Sequence, residues 1–186
     1  MASDALQTLV DRCLAGESLA IRELVDLYQG RVFGLCFRML GHRQDAEDMA
    51  QETFVRTIKS LHQWDARRSF EPWLLAIAGN RCRTLLAKRQ RRPAHQPLED
   101  DFGGTTDQGQ DEQQLQEEIS LALENLREEY RQAFLLFHEQ ELSYVEIAAA
   151  LDCPLGTVKT WVHRARRELV DQLRRRHVLE ENRHAM

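Results

Sequence analysis

Cysteine, proline and glycine are all scarce in this chain. Its 186 residues include 4 Cys, 4 Pro and 9 Gly, while hydrophobic residues make up 42% of the sequence. Because the four cysteines lie far apart and form no C-x-x-C pair, neither a disulfide framework nor a zinc finger is indicated. Few chain-breaking residues and a good supply of apolar ones predict an ordered, helix-rich chain with four reduced, mostly buried thiols.

Long apolar runs are missing as well. The opening residues MASDALQTLVDRCLAG contain no basic stretch followed by an apolar one, and no later stretch approaches the roughly 18 apolar residues of a membrane span. We therefore expect a cytoplasmic protein without direct membrane insertion. The length suits either one globular domain or two small ones.

An excess of positive charge is also absent. The formal net charge is −5, whereas a protein that holds DNA unaided is usually basic, because most of its affinity comes from neutralising phosphates. If this chain binds DNA, its basic residues must be clustered, or a partner must supply the remaining affinity for DNA.

The usual patterns of catalysis do not occur in the sequence. We find no nucleophile paired with a base, no glycine-rich phosphate loop and no cluster of metal ligands, and the seven His are scattered. The sequence therefore predicts a protein that is not an enzyme, with no cofactor, no metal and no small-molecule substrate. Among the histidines His163 stands out, as a candidate base contact.

Apolar residues recur at three- and four-residue spacing in both halves of the chain, without a convincing strand pattern. Between the halves, the segment from Pro93 to about Glu112 contains proline, glycine and six acids but no Lys or Arg, which indicates a tether. The predicted fold is all-α, with two small helical domains at 1–92 and 115–176 joined by a flexible acidic linker at 93–114. A tail at 177–186 follows, to which we assign no role.

The segment LSYVEIAAALDCPLGTVKTWVHRARREL has the form of a helix-turn-helix. Ser143 and Glu146 are spaced as a capping box at the start of the first helix, and Pro154 suits the start of the second. In the second helix the core side is predicted to comprise Val158, Val162, Ala165 and Leu169. The outward side then carries Thr157, Lys159, Thr160, His163, Arg164 and Arg167. Such a helix fits a DNA major groove, although a solvated basic face would show the same pattern.

The segment DAEDMAQETF separates apolar from acidic residues on one helix. Its apolar stripe, continued by one more residue, comprises Ala46, Ala50, Phe54 and Ile58 and is predicted to face the core. The polar residues of the same helix are Asp45, Glu47, Asp48, Gln51 and Glu52. An acidic stripe of this kind is more often simply solvated than bound to a partner.

A third segment, SFEPWLLAIAGNRCRTLLAKRQRR, begins with aromatic residues and ends in a run of cations. Phe70 and Trp73 precede Asn80, Arg81 and Arg83, a combination that suits a melted DNA strand with unstacked bases in pockets and phosphates on the cations. Phe70 and Trp73 are also expected to pack inward, with Leu74 and Ile77, so core packing is the competing interpretation of the aromatics. A solvated helix end is that of the arginines.

Together the three segments resemble the extracytoplasmic-function sigma factors of bacterial RNA polymerase, in that family's order and spacing, over roughly residues 19–173. The resemblance implies a helical bundle of the region 2 type, a helix-turn-helix of the region 4 type and a non-catalytic function. That function is to bind core RNA polymerase and direct it to promoters. The implied partners are the clamp helices and flap of core polymerase, promoter DNA and a cognate anti-sigma factor.

The resemblance also carries roles over to matching positions. Docking on the basic clamp helices is implied for Asp45, Glu47, Asp48, Gln51 and Glu52. Melting and reading of the minus-ten element, with a flipped base held by the loop ahead of the Asn80 helix, is implied for Phe70, Trp73, Asn80, Arg81 and Arg83. Reading of the minus-thirty-five element is implied for Lys159, Thr160, His163, Arg164 and Arg167. The acidic linker would thread the polymerase cleft.

Two positions depart from the family pattern. Thr84 stands where many relatives carry Asp, and Trp161 where a small basic residue is common, so strand contact and promoter preference stay open at these positions. Two other functions remain as alternatives. A stand-alone helix-turn-helix regulator would bind DNA tightly without polymerase, and a sigma-like decoy would bind polymerase without initiating transcription.

Overall fold

The computed structural model describes residues 2–90 and 110–176. These form eight α-helices and a 3₁₀-helix at Leu61–Gln63, the α-helices being α1 (Ala2–Leu14), α2 (Ser18–Leu40), α3 (Arg43–Ser60), α4 (Phe70–Gln90), α5 (Gln110–Glu124), α6 (Glu128–His138), α7 (Tyr144–Ala150) and α8 (Leu155–Arg175). Neither range contains a strand, which confirms the all-α prediction. Most of the predicted linker and the whole tail lie outside the described residues. Within those residues, no helix has the length and apolar character needed to cross a bilayer.

The first bundle comprises α1 to α4, with α2 packed against the other three. At the three- and four-residue spacing seen in the sequence, α2 buries Leu24, Val32, Leu35, Cys36 and Met39. The helix ends at Gly41, whose φ of 71° lies in the left-handed region and whose N–H donates to the Phe37 carbonyl at 2.8 Å. The positive φ favours glycine at residue 41, and a Cβ there would also displace the end of the Glu124 side chain.

Two thiols meet where α2 packs against α4. Cys36 and Cys82 are both fully buried. A hydrogen bond between the two side chains, together with burial, raises the pKa of Cys82 far above its usual range, so that the thiol stays protonated. Cys13 is buried too, whereas Cys153 is partly exposed, so three of the four cysteines are as deep as predicted.

The second bundle comprises α5 to α8 and contains the helix-turn-helix. Its capping box is confirmed, since Ser143 Oγ accepts the Glu146 N–H at 3.2 Å and the Glu146 carboxylate accepts the Ser143 N–H at 2.9 Å. Asp152 makes the turn with a φ of 50°, which a short polar side chain tolerates, and Pro154 caps α8. The buried side of α8 is the predicted one, comprising Val158, Val162, Ala165 and Leu169.

The two bundles share one continuous core. Arg131 of α6, only 5% exposed, links them, because its Nη1 donates to the Met39 carbonyl at 2.5 Å and its Nη2 to the Glu124 carbonyl. Met39 and Glu124 lie in the last turns of α2 and α5, where carbonyl groups have no N–H donor within the helix. Burial lowers the pKa of Arg131, yet a guanidinium stays charged, and its positive charge complements both helix carboxyl ends.

The bundles approach each other closely between α4 and α6. Gln132 is fully buried and lies on Gly79, where an added Cβ would come within 2.9 Å of Gln132 Cγ and closer still to the amide. The amide oxygen and nitrogen of Gln132 have no hydrogen-bond partner. Gln132 and Gly79 therefore interact by van der Waals packing and not by hydrogen bonding.

We expect Gly79→Ala to lower the free energy of unfolding by about 1–3 kcal/mol, because the new methyl group overpacks the contact. In a Gln132→Ala background the same substitution should cost clearly less. Chemical denaturation measures both values. Gly30→Ala is the matched control, since nothing lies within 4 Å of a Cβ there, and it should stabilise α2 by about 0.5–1 kcal/mol. An equal cost of Gly79→Ala in both backgrounds would show that Gln132 is not the obstacle.

Candidate polymerase and DNA interfaces

The exposed side of α3 carries part of the predicted acidic stripe. Opposite the buried Ala46, Ala50 and Phe54, the side chains of Glu47, Asp48 and Gln51 are exposed, and we call these three the acidic face. Val55 lies on the same side, seven residues beyond Asp48, and is 53% exposed. Sequence analysis missed this apolar member, although its helical spacing could have identified it.

Asp45 and Glu52, the other two predicted polymerase contacts, turn toward α4. The Asp45 carboxylate lies 2.6 Å from an Arg89 nitrogen and is 19% exposed. Glu52 forms an ion pair with Arg81. These two acids therefore connect α3 with the basic run of α4. On the acidic face Glu47 forms an exposed ion pair with Arg43 of the same helix at 3.0 Å, and all three side chains stay accessible to a partner.

The loop at 64–69 precedes α4 and corresponds to the loop expected to hold a flipped base. Asp65 organises it, because its carboxylate accepts the Arg67 Nε–H at 2.9 Å and the Arg67 backbone N–H at 3.0 Å. The side-chain bond first, and then the backbone bond, lower the pKa of Asp65 to about 2. The ionised form that makes these bonds is thus present at neutral pH.

Phe70 is a core residue. It is 1% exposed and packs among three other aromatic rings, with centroid distances of 5.3 Å to Tyr28, 5.3 Å to Trp64 and 5.6 Å to Trp73. Trp73 is only partly buried. Phe70 therefore packs against Trp64 of the loop from inside the core. Of the two predicted aromatic contacts, Phe70 and Trp73, it is Trp73 that reaches the surface.

The polar candidates on α4 differ in accessibility. Asn80 is exposed, and its carbonyl accepts the Thr84 hydroxyl at 2.8 Å, so Thr84 makes a local backbone contact. Arg81 is paired with Glu52, and Arg83 lies 3.2 Å from Glu129 of α6. Both cations expected to hold DNA thus have acidic partners, and that of Arg83 comes from the second bundle.

All five residues predicted to read the minus-thirty-five element are exposed on α8. They line a cleft of about 560 Å³ whose walls comprise Lys159, Thr160, His163, Arg164, Arg167, Arg127, Tyr130 and Glu168. Arg127 and Tyr130, from the start of α6, were missed by sequence analysis because no local spacing relates them to α8. Trp161 is half-buried and packs against the core.

The helix-turn-helix also faces the first bundle. A second, shallower cavity of about 390 Å³ is lined by Arg68 of the loop at 64–69 together with Ala148, Ala149, Asp152, Cys153 and Pro154. The two hydrogen bonds from Ser143 lower the pKa of Glu146, and the Ser69 side chain of the loop adds a smaller effect in the same direction. The turn between α7 and α8 therefore lies beside the loop expected to capture a base.

The chemistry available at these surfaces is recognition by charge, hydrogen bonding and stacking. In the ranges 2–90 and 110–176, no group of three His, Cys, Asp or Glu residues has the arrangement of a metal site. An acidic face suits a basic protein surface, and an exposed helix with Lys, Arg, Thr and His suits DNA.

Comparison with known proteins connects both bundles to one family. The family model for Sigma-70 region 2 matches residues 24–92 of the sequence, and the family model for Sigma-70, region 4 matches residues 116–169. ECF RNA polymerase sigma factor SigW of Bacillus subtilis is 35% identical over 86% of this chain and 91% of its own length. RNA polymerase sigma-H factor of Pseudomonas aeruginosa is 32% identical over 89% of this chain and 92% of its own.

Solved structures show the same fold. The sigma factor RpoE in complex with the anti-sigma factor NepR from Bartonella quintana superposes with a TM-score of 0.63 at 22% identity, covering 82% of this chain and 96% of that one. CnrH in complex with the cytosolic domain of CnrY gives a TM-score of 0.66 at 24% identity, covering 89% and 95%. At these identities the likeness concerns the fold.

The Arg83–Glu129 pair predicts a response to charge reversal. Glu129→Lys replaces an attraction across 3.2 Å by a repulsion and should loosen the contact between α4 and α6. We expect a larger radius of gyration in small-angle X-ray scattering at low salt, and a smaller difference at high salt because the charges are screened. Asp26→Lys, an equal charge change at an exposed position of α2, is the control. Identical changes in both variants would assign the effect to net charge alone.

Proposed function

The chain belongs to the sigma-70 family as an extracytoplasmic-function sigma factor, a promoter-specificity subunit of transcription initiation, and from this premise we propose which surface makes which contact. The observation that carries the proposal is the opposite chemistry of two exposed surfaces. The first bundle presents the acidic face of α3, and the second presents the cationic side of α8. One surface binds the enzyme and the other binds its template, so the protein performs no catalysis of its own.

In this proposal the acidic face docks on the basic clamp helices of core polymerase. Glu47, Asp48 and Gln51 steer and orient the encounter, while Val55 supplies apolar contact area. Asp45 and Glu52 act differently, since their pairing with Arg89 and Arg81 holds α3 against α4. A further contact, between the second bundle and the polymerase flap, completes the holoenzyme.

The minus-ten element is read at the junction of the loop at 64–69 and α4. Trp73 and Asn80 reach the surface there and are suited to a displaced base, while Phe70 positions them from the core. Arg81 and Arg83 exchange their carboxylate partners for phosphates of the melted strand. On α8, Lys159, Thr160, His163, Arg164 and Arg167 enter the major groove at the minus-thirty-five element.

The arrangement described above is a closed one, and we propose that it is inactive in initiation. Arg83 is engaged by Glu129, and the loop at 64–69 lies beside the helix-turn-helix. Because the two promoter elements are separated along the DNA, the bundles must part in order to bind both. An anti-sigma factor that favours closure would keep the chain from polymerase in the cytoplasm, and the RpoE structure with NepR supports a partner of this class.

Run-off transcription with purified core polymerase tests the function. A library of promoter fragments should yield discrete transcripts with the chain present and none with core enzyme alone. A decoy would bind core polymerase without producing a transcript. Tight, sequence-specific binding of the isolated chain in a gel-shift experiment would instead favour a stand-alone regulator.

Asp48→Arg is expected to weaken binding to core polymerase by about tenfold, because it places a cation against a basic surface. Since Asp48 is exposed, the free energy of unfolding should change by less than about 0.5 kcal/mol. Fluorescence titration of labelled chain with core enzyme measures the affinity, and Asp26→Arg is the control. An unchanged affinity would remove the acidic face from the docking surface.

Arg164→Ala should weaken use of promoters that carry the preferred upstream element by about 1–3 kcal/mol, as expected for loss of a bidentate base contact. Abortive initiation on templates with matched and scrambled upstream elements measures the difference. A loss of the same size on both templates would mean that Arg164 contacts only the phosphate backbone.

A further inference from the structure

The cleft beside α8 contains two residues to which the proposed function gives no task. Arg127 and Tyr130 belong to the start of α6, yet they form one wall of the cleft whose other wall is the outward side of α8. Four guanidinium and ammonium groups line this cleft, those of Arg127, Lys159, Arg164 and Arg167, against the single carboxylate of Glu168. A concave cationic surface next to a DNA-reading helix attracts phosphate.

Tyr130 controls the position of Arg164. Its hydroxyl oxygen accepts a hydrogen bond from Arg164 Nη1 at 2.9 Å, which spans α6 and α8. The tyrosine is 5% exposed, so its ring is fixed by the core and its hydroxyl is a rigid anchor. The bond uses one of five guanidinium N–H donors and leaves the others to form a bidentate pair.

Arg127 contacts the ring of the same tyrosine. Its guanidinium carbon is 5.4 Å from the centroid of the Tyr130 ring, within the range of a cation–π contact. The side chain is exposed, and stacking on the ring leaves the N–H donors at the edge of the guanidinium free of the ring face. Arg127 is thus held at the rim of the cleft, where a duplex in contact with α8 would present its backbone.

We propose that Arg127, Tyr130 and Arg164 act as one unit in promoter recognition, which rests on the function proposed above. Tyr130 is a positioning residue that holds Arg164 ready for a base edge of the minus-thirty-five element. Arg127 contacts a backbone phosphate and sets the register of α8 in the groove. Pre-positioning matters because a free arginine side chain loses considerable rotamer entropy when it is ordered by DNA.

Tyr130→Phe separates this role from simple packing. The substitution keeps the ring, its burial and the stacking of Arg127, and removes only the oxygen that anchors Arg164. For wild-type and variant holoenzymes, we would measure binding to duplex promoter fragments with the preferred and with a scrambled upstream element, over a series of salt concentrations. Thermal unfolding checks that each variant is folded.

We define the ratio as the affinity for the fragment with the preferred element divided by the affinity for the scrambled one. Tyr130→Phe should reduce this ratio by about three- to tenfold and leave the salt dependence of binding unchanged. Arg127→Ala should weaken binding to both fragments alike and reduce the slope of log K against log salt by about 0.9, the value for one phosphate contact. Arg166→Ala is the matched control, because Arg166 lies on α8 like Arg164 but contacts His138 at 3.1 Å instead of lining the cleft. It should change the ratio less than Tyr130→Phe does and the slope less than Arg127→Ala does.

An unchanged ratio in Tyr130→Phe would overturn the positioning role. Tighter binding by this variant would do the same, because it would mean that Tyr130 sequesters Arg164 from DNA. If the salt slope for Arg127→Ala equalled that for Arg166→Ala, the proposed contact between Arg127 and a phosphate would be wrong. If the wild-type holoenzyme showed no preference among promoters, the proposed function would fail and this inference with it, whereas failure of the variants alone would leave that function intact.

Discussion

A single buried guanidinium determines how the two bundles are joined. Arg131 contributes its charge to the carboxyl ends of α2 and α5 at once, and it does so from inside the shared core. Moving a charge out of water is costly, and two carbonyl acceptors at helix ends, where the partial charge is negative, offset that cost. Because those carbonyls belong to different bundles, the guanidinium keeps both hydrogen bonds only while the bundles are in contact, and its buried Nε has no partner even then.

The ion pairs around this contact have a smaller part in its stability. Arg83–Glu129 and Arg38–Glu139 both cross between the bundles, but their side chains keep about a third of their exposure, from 28% to 32%. Pairs that are exposed to this degree contribute about 0–1 kcal/mol each and weaken with salt. The apolar core and Arg131 therefore hold the closed arrangement, and the pairs make it sensitive to charged competitors such as DNA or a basic protein surface.

Local features were predictable from the sequence, and contacts between distant elements were not. The capping box at Ser143 and the buried stripe of α8 follow from spacing within one helix, and both are as expected. The burial of Phe70 agrees with the expectation that it packs inward. The rings that surround it and the pairing of Glu52 with Arg81 depend on which helices pack together, and helical periodicity identifies a buried side without identifying its neighbour. Tyr130 illustrates the limit, since its partner Arg164 is 34 residues away.

The buried thiols of Cys36 and Cys82, between α2 and α4, have a consequence for how this protein reacts with oxidants. Peroxides and alkylating agents react with thiolates, and Cys82 is kept from ionising by its hydrogen bond with Cys36 and by its depth in the core. The Cys82 sulfur should therefore react more slowly with an oxidant than an exposed cysteine would. An oxidant in solution would therefore reach the partly exposed Cys153 before the buried Cys82.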